Sequence, residues 1–404
     1  MKYFIPLLAF FLLMGCGQKE AEENEAQVLD LSWSEIEAKA KGRTVNLMMW
    51  QGDPFINDYI QSYVVPEVRN RYGVTLKVAN GQGNQIVSIL LAEQEAGKQD
   101  SELDMMWING ETFFQLRQID ALFGPFVEKL PNSAYIDFEN PFIKYDFQQE
   151  SEGYESPWGS VQQALIYDSA RVDNPPTDMA SLESWVVAHP GKFTFPNDFT
   201  GMSFLKALLV ELAGDADRLS GPFDETLYEE LSTELWVYLN RIKGKFWKQG
   251  ETFPAATANL HQLYASGEVD ITMSMNDAEV DNKVLQGAFP TTSRAYVLSN
   301  GTIRNTHFMG IAKGARDKAG ALVTINFLLE PEAQWKKAQP AIWGDGSVLD
   351  MEKLPPAWKK RFESIPQREH APKRSEIEPL GLSEPAPEYM IHLFDDFRKY
   401  VIQQ

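Results

Sequence analysis

Cysteine is almost absent from this sequence, since Cys16 is the only one in 404 residues. A lone cysteine has no partner for an intramolecular disulfide, so packing alone has to hold the fold together. Cationic side chains are also scarce: 37 Lys and Arg stand against 57 Asp and Glu, which gives a formal net charge of −20. This acidic balance argues against nucleic acid or anionic lipid as a partner. It is compatible with a cationic ligand and equally with plain solubility.

The sequence also lacks the short motifs of common catalytic chemistry. It contains no Gly-x-Ser-x-Gly nucleophile turn and no phosphate-binding loop ending in Gly-Lys-Ser/Thr. The five histidines are scattered without the spacing of metal ligands, at His189, His261, His307, His370 and His392. A glycosidase would need only two carboxylates, so a hydrolase stays open on the residues alone. The sequence nevertheless favours a binding protein without catalytic residues, metal or cofactor.

Long apolar runs are confined to the N-terminus. The run over 3–13 follows a lysine and is too short to span a bilayer, which needs about 20 apolar residues, but it is typical of a secretory signal. The ending Leu13-Met14-Gly15-Cys16 resembles a bacterial lipobox, which implies cleavage before Cys16 and its lipidation. An ordinary signal peptide with an incidental cysteine is the alternative. Residues 17–27 are acidic and predict a flexible tether, so the expected product is exported and anchored to a membrane, facing the periplasm or extracellular space.

The rest of the chain is longer than one hydrophobic core usually holds, and 44% of all residues are hydrophobic, so two domains are predicted. Apolar runs alternate with amphipathic segments, a pattern typical of an α/β fold in which helices flank mainly parallel sheets. The stretch 366–387 is rich in proline and charge, and we expect a long surface connection there. The predicted strands lie at about 43–50, 74–78, 103–108, 159–167, 193–195, 268–275 and 294–298.

Polar and aromatic side chains recur where these strands end. In open α/β sheets, ligands bind beyond the carboxyl ends of the strands. Tryptophan can stack on a flat or cationic ligand, although core packing is its usual role, and the aspartates can equally be helix caps. The candidate binding residues are Trp50, Gln51, Asp53, Gln82, Asn84, Trp107, Asn109, Glu111, Trp158, Asn197, Asp198, Thr200, Asn276, Asp277 and Asn300.

An ordered set of short pieces resembles the YnjB-type solute-binding proteins of ABC transporters, which are similar to the wider group of thiamine, iron and maltose binders. The pieces are LDMMWINGE at 103–111, SPWG at 156–159, FPNDFTG at 195–201, GEVD at 267–270, MND at 275–277, GTIRNTHF at 301–308, NFLL at 326–329, EAQ at 332–334 and WGD at 343–345. The resemblance covers about 43–349 and fades in the C-terminal tail.

The resemblance implies a clamshell of two lobes that closes on a small solute and docks onto a permease, which an ATPase powers. Lobe one would comprise 28–156 with about 301–350, lobe two 157–300, and 351–404 would form a C-terminal helical segment. The acidic and aromatic loops favour a cationic or zwitterionic, thiamine-like ligand, with sugars as the next choice. We expect a monomer. The alternative is a surface lipoprotein that binds carbohydrate or protein without transport.

Overall fold

The computed structural model of the protein describes residues 28–403, so the predicted signal peptide, Cys16 and the tether lie outside the described residues. The α-helices are α1 (Trp33–Ala40), α2 (Pro54–Asp58), α3 (Val65–Tyr72), α4 (Gly83–Glu95), α5 (Gly110–Gln118), α6 (Pro141–Lys144), α7 (Met179–Ala188), α8 (Phe199–Ala213), α9 (Glu225–Ile242), α10 (Thr257–Ala265), α11 (Glu279–Leu285), α12 (Lys318–Leu328), α13 (Pro331–Lys337), α14 (Pro356–Glu363), α15 (Arg374–Ile377) and α16 (Pro387–Phe397). The strands are β1 (Thr44–Met49), β2 (Thr75–Asn80), β3 (Met105–Ile108), β4 (Tyr145–Asp146), β5 (Gln149–Glu150), β6 (Glu155–Gln162), β7 (Ala164–Asp168), β8 (Ile271–Ser274), β9 (Ser293–Tyr296), β10 (Thr302–Ile311) and β11 (Gly381–Leu382).

The larger sheet has six strands. Five of them follow the order β11-β10-β3-β1-β2, and the sixth, β6, pairs with β10 along 304–310. The pairs β1–β2, β1–β3 and β10–β11 are parallel, whereas β10 runs antiparallel to both β3 and β6. Helices separate β1, β2 and β3 along the chain, as a parallel arrangement requires. The carboxyl ends of these three strands therefore meet at one edge of the sheet, and this edge positions the candidate site.

The smaller sheet, β8-β7-β9, is antiparallel in both of its pairs. The α/β fold class is confirmed, but the expectation of a mainly parallel sheet in each lobe is wrong for this one. An apolar run predicts a strand and carries no information about its direction. Only Gln163 separates β7 from β6, and the chain returns to β8 through α7 to α10, a connection that permits either direction.

The apolar side chains form two cores. The first contains Val45, Met105, Trp158 and Phe308, and the second contains Leu165, Phe204, Met273 and α16 residues such as Leu393. The adjacent strands β6 and β10 carry the chain between the two cores. The predicted lobe boundaries stay a prediction.

Two local expectations are wrong. No strand forms at 193–195: Phe193 and Phe195 are fully buried, and their segment bonds irregularly, for example through Trp247 N–H to the carbonyl of Phe193. The stretch 366–387 is not only a surface connection, because Glu384 is 6% exposed and pairs with a buried lysine. Charged residues can enter an interior when they are paired, and hydrophobicity alone does not predict this.

Candidate functional site

The end of β1 supplies three candidate residues. Trp50 is 41% exposed, and Gln51 is tied to the neighbouring strand by its N–H, which donates to Asn80 Oδ1 at 3.1 Å. Asp53 caps α2 by accepting from the N–H groups of Phe55 and Ile56, and its other oxygen lies 3.3 Å from Lys283 Nζ. Asp53 is therefore a helix cap and also one half of an ion pair with the second core.

Lys283 lies between two carboxylates, Asp53 at 3.3 Å and Glu279 at 3.2 Å. Burial and the charge of Glu279 raise the pKa of Asp53, and these effects outweigh the attraction of Lys283. Against the effect of burial, His261 and Lys283 hold the pKa of Glu279 below its usual range. One ammonium thus serves two acidic groups, one from each core.

The turn after β2 holds Gln82 and Asn84, which are both exposed. Asn84 Oδ1 accepts from the neighbouring N–H of Gln85, and Gln82 N–H donates to the Gln85 side chain. These contacts stay within the first turn of α4.

Trp107 and Trp158 meet in what we call the tryptophan cluster, which comprises Trp107, Trp158, Trp343 and His307. Trp107 packs edge-on against Trp158 at 5.1 Å and against His307 at 4.9 Å between ring centroids. Trp158 is fully buried, whereas Trp107 keeps partial exposure. Trp107 is thus the member of the pair that a ligand can reach.

A buried ion pair supports this cluster. Lys337 and Asp345 are both fully buried, with Lys337 Nζ 2.5 Å from Asp345 Oδ2 and 5.3 Å from the Trp343 ring centroid. Burial lowers the pKa of Lys337, whereas Lys337 and His307 hold the pKa of Asp345 below its usual range in spite of burial. Gly159 is required here, because a Cβ at this position would lie 2.1 Å from Asp345 Oδ2.

Asn109 and Glu111 follow β3. Asn109 caps α5, with Oδ1 accepting from the Thr112 hydroxyl at 3.1 Å. Burial raises the pKa of Glu111, and its charged neighbours include Lys206 and Glu384. Glu111 thus belongs to the group that we call the Lys206 cluster, which comprises Glu111, Asp146, Lys206 and Glu384.

The Lys206 cluster lies between the cores. Lys206 projects from α8, is fully buried, pairs with Glu384 and lies 4.4 Å from the ring centroid of Phe147. Burial raises the pKa of Glu384 and raises that of Asp146 well above its usual range, and burial lowers the pKa of Lys206. Three carboxyl groups therefore share one ammonium.

The loop before α8 contributes Asn197, Asp198 and Thr200. Asp198 caps α8 through the N–H groups of Thr200 and Gly201, and its second oxygen accepts from the Thr257 hydroxyl at 2.8 Å. The backbone N–H of Asn197 donates to the carbonyl of Pro254, and Thr200 is buried. The structure gives Asp198 the role of a cap, and its hydrogen bonds go to Thr200, Gly201 and Thr257.

Asn276 and Asp277 follow β8. Asn276 Oδ1 accepts from Ala278 N–H at 3.0 Å within the turn. Asp277 is buried and pairs with Arg368 and Arg374, which hold its pKa below its usual range against the effect of burial. Arg374 also donates to the carbonyl of Gly344 at 2.6 Å. Asp277 is therefore part of a bridge from the second core to the loop beside the tryptophan cluster.

Asn300 is exposed, and its side chain bonds to Glu211 of α8. The structure brings Asp53, Trp107, Trp158, Glu111 and Asp277 to the boundary between the cores and leaves Gln82, Asn84 and Asn300 at the surface.

Sequence reasoning missed the charged partners at this boundary. Lys206 gives the clearest sequence signal, because it interrupts the apolar helix 202–213, where a lysine needs a buried partner. The arginines and Glu384 come from the stretch 366–387, whose composition is typical of a solvated loop. The missed residues are Lys206, Glu279, Lys283, Lys337, Asp345, Arg368, Arg374 and Glu384.

Glu155, on β6, gives a prediction about pH. It is fully buried, neither carboxyl oxygen has a partner in the described chain, and burial followed by the charge of Asp146 raises its pKa well above the usual range. Because its pKa is raised in the folded state, the free energy of unfolding falls as the pH rises from the unfolded-state pKa of about 4.3 through the folded-state value.

We expect Glu155→Gln to raise the free energy of unfolding by about 1–3 kcal/mol at pH 8 and to have little effect at pH 4. Urea unfolding between these pH values measures this, with Glu150→Gln at an exposed position as the control. An effect of Glu155→Gln that is the same at both ends of the range would show that Glu155 does not titrate as stated.

Among residues 28–403, no helix has the length and apolar character needed to cross a membrane. Within the same residues, no group of three or more His, Cys, Asp or Glu side chains is placed to hold a metal ion.

Residues 66–364 match the family model of the bacterial extracellular solute-binding proteins. The chain is 35% identical to protein YnjB of Escherichia coli strain K12 over 340 residues, which cover 83% of this chain and 87% of YnjB. Both matches are extensive enough to show the family. The YnjB-type resemblance predicted from the sequence is therefore confirmed.

Solved structures of low sequence identity share the fold. The Tp0655 lipoprotein of Treponema pallidum has a TM-score of 0.64 at 14% identity and covers 89% of this chain and 100% of its own. A putative spermidine/putrescine ABC transporter protein from Listeria monocytogenes has a TM-score of 0.62 at 14% identity, over 89% and 99%. The periplasmic binding protein AfuA of Actinobacillus pleuropneumoniae, with bound fructose-6-phosphate, has a TM-score of 0.62 at 12% identity, over 89% and 98%. With its fold and its family match in agreement, this chain belongs to the bacterial extracellular solute-binding proteins, the solute-capturing components of ABC transporters.

Proposed function

We propose that the protein captures a cationic or zwitterionic organic solute between its two lobes and delivers it to an ABC permease. The observation that carries this proposal is the arrangement of lysines at the boundary between the cores. Lys283 lies 3.3 Å from Asp53 and 3.2 Å from Glu279, and in the Lys206 cluster one ammonium faces three carboxyl groups. In both places the acidic groups outnumber the cations.

An acidic boundary attracts organic cations by its field and stabilises them by direct hydrogen bonds. A ligand ammonium has the same three donors as a lysine ammonium, so it can replace or join Lys283 between Asp53 and Glu279. Replacement would free the lysine side chain and exchange the direct contact between the cores for one through the ligand. Binding then favours whichever lobe arrangement gives the ligand more contacts.

Trp107 supports the same ligand class. Its ring is partly exposed, and a cation over a tryptophan face gains about 0.5–2 kcal/mol. Its position against Trp158 and His307 holds the ring in one orientation. A flat cationic ring, as in thiamine, would stack on this face.

The remaining parts of the proposal concern organisation. Residues 28–156 with about 301–350 form lobe one, 157–300 form lobe two, and 351–404 close the fold as a helical segment. Cys16 carries the lipid that anchors the exported monomer beside its permease. The name of the Listeria protein refers to spermidine and putrescine, which supports a cationic solute, whereas AfuA with its sugar phosphate represents the competing ligand class.

A thermal-shift screen tests the ligand class. The chain from residue 16 onward, carrying Cys16→Ser, is screened with thiamine and its phosphates, polyamines, amino acids, sugars and oxyanions after unfolding and refolding to strip bound ligand. A ligand at 100 times its dissociation constant adds about 2.7 kcal/mol of stability, which raises the midpoint by about 5–10 °C. We expect the hit to carry a positively charged nitrogen. A hit confined to sugars or oxyanions would overturn the cationic class, and a flat screen of the refolded protein would count against solute capture itself.

The ligand found by this screen should depend on Trp107. We expect Trp107→Ala to weaken binding about tenfold, since a cation–π contact is lost, and to leave the fold intact because the ring is only partly buried. Titration calorimetry measures the affinity. Trp335→Ala is the matched control, since Trp335 is also partly buried and lies outside the tryptophan cluster. If Trp107→Ala and Trp335→Ala bound the ligand with equal affinity, Trp107 would not be a ligand contact.

A further inference from the structure

Two successive carbonyl groups in a loop of the first core accept hydrogen bonds from side chains of the second core. Asn282 Nδ2 donates to the carbonyl of Trp343, and Arg374 Nη2 donates to the carbonyl of Gly344, both at 2.6 Å. Asn282, Trp343 and Gly344 are buried, and Arg374 is half-buried. We call these two side chains and two carbonyl groups the carbonyl latch.

The donors of the carbonyl latch are fixed to the second core. Asn282 lies on α11, and Val280 of this helix is part of the second core. Arg374 begins α15, and Ala371 before it and Leu382 after it pack against the same core. Because the first core supplies the acceptors, the latch joins the two cores directly.

The acceptors lie in a loop that the first core holds in one shape. Trp343 is part of the first core, and the N–H of Gly344 donates to the carbonyl groups of Lys337 and Gln339. The φ of Gly344 is +77°, in the left-handed region that favours glycine. A Cβ at this position would lie 3.0 Å from the Cβ of Ala278, the residue before α11, so the loop approaches the second core closely.

Asp277 positions one of the two donors. It is 1% exposed, and its Oδ2 lies 3.2 Å from Arg374 Nε and also pairs with Arg368. Its Oδ1 accepts from the backbone N–H of Gln162, the last residue of β6, at 3.3 Å. The carboxylate therefore ties the Arg374 guanidinium to a strand that crosses between the cores. Because the guanidinium is planar and rigid, a fixed Nε also directs Nη2 at the Gly344 carbonyl.

We propose that the carbonyl latch holds the two lobes closed with or without solute, and that it thereby sets the balance between open and closed molecules on which a solute acts. Each of its bonds joins two groups of the chain, so no ligand atom is needed to form them. This role rests on the proposed solute capture, because it concerns the same two lobes. The latch groups are nevertheless distinct from Asp53, Lys283 and Trp107, to which the capture is assigned.

The strength of the latch follows from what opening does to its acceptors. In the open arrangement, water can replace the lost donors at the two carbonyl groups. In the closed arrangement, a carbonyl whose donor has been removed stays buried without a partner, which is costly. Removal of one donor therefore penalises only the closed arrangement, and we expect the ratio of open to closed molecules to rise at least about tenfold.

Pulsed electron paramagnetic resonance measures this ratio on the chain from residue 16 onward. Cys16→Ser removes the only native cysteine, so Gln61→Cys and Leu285→Cys give two defined positions for spin labels. Gln61 is exposed in the helical segment that follows α2, and Leu285 is exposed on α11, two residues beyond Lys283, which contacts Asp53. The labelled parent, refolded without ligand, should show mainly one short distance.

Two variants break the latch, and a third is their matched control. Asn282→Ala and Arg374→Ala should each raise the population at long distances relative to short ones at least about tenfold. Arg368→Ala should leave the distances unchanged, because Arg368 also pairs with Asp277 but its other hydrogen bond goes to the carbonyl of Pro372. Urea unfolding checks the fold, and if Arg374→Ala does not fold, Asn282→Ala decides.

A parent with mainly long distances, or latch variants whose distances match those of the parent, would overturn the latch. An effect of Arg368→Ala as large as that of Arg374→Ala would overturn it as well, since the Gly344 carbonyl would then not be the reason for closure. All of these distances are measured without solute. A flat thermal-shift screen would therefore count against solute capture without deciding the latch, and a failed latch would leave any hit of the screen in place.

Discussion

Lys337→Ala should lower the free energy of unfolding by about 3–5 kcal/mol. Lys337 and Asp345 are both fully buried, and the ammonium donates to Asp345 and, at 2.7 Å, to the carbonyl of Gly346. Removal of the lysine leaves the Asp345 carboxylate in the interior with only His307 beside it, at 3.2 Å. An uncompensated buried charge carries a penalty of this size, because water no longer solvates it. Urea unfolding followed by tryptophan fluorescence measures the change, since Trp158 and Trp343 flank the ammonium.

A double replacement separates the pair from the packing of the lysine stem. Lys337→Met keeps most of the stem, and combining it with Asp345→Asn removes both charges. We expect the double variant to be more stable than Lys337→Met alone by about 2 kcal/mol, because the second change removes the buried charge that the first leaves unpaired. Lys359→Ala is the surface control, because its ion pair with the exposed Glu352 is worth less than about 1 kcal/mol. A loss at Lys337 as small as that at Lys359 would contradict a buried ion pair.

Periodicity and turn residues were sufficient to predict much of the first core. The strands β1 and β3 lie within the predicted segments, and β2 begins within its segment but continues to Asn80, beyond the predicted end at 78. Apolar runs between helical patterns are typical of parallel strands. The direction of β7 against β8 and β9 could not be predicted in this way. Strand direction depends on how the connecting helices pack, and that packing involves residues far apart in the sequence.

The candidate site could be predicted only in part, for a related reason. The expectation that ligands bind beyond the carboxyl ends of the strands indicated Asp53, Trp107 and Glu111, which lie at the boundary between the cores. It could not indicate their partners Lys283 and Lys206, because each belongs to a helix of the second core. Charge partners come together through tertiary packing, so the sequence contains the charges without their pairing.

The aspartates show a different limit. Asp53 and Asp198 both precede a helix and both cap it, so local sequence gives them the same interpretation. Only the fold distinguishes them: Asp53 also reaches Lys283 of the second core, whereas Asp198 bonds to Thr257 within its own core. A residue can therefore serve as a cap and as part of the boundary at once, and the two roles were not exclusive alternatives.

Trp158→Ala should lower the free energy of unfolding by about 3–5 kcal/mol, the usual cost of removing a fully buried aromatic side chain. The Trp158 ring packs against Trp107 and Trp343 at 5.1 and 5.3 Å between centroids, so its removal leaves a cavity between them. Trp50→Ala is the same substitution at a 41% exposed position and should cost less than about 1 kcal/mol. Urea unfolding of both variants measures the difference. If Trp158→Ala were as mild as Trp50→Ala while ligand binding was lost, Trp158 would be a ligand contact and not a packing residue; the expected result instead assigns Trp158 to the support of Trp107.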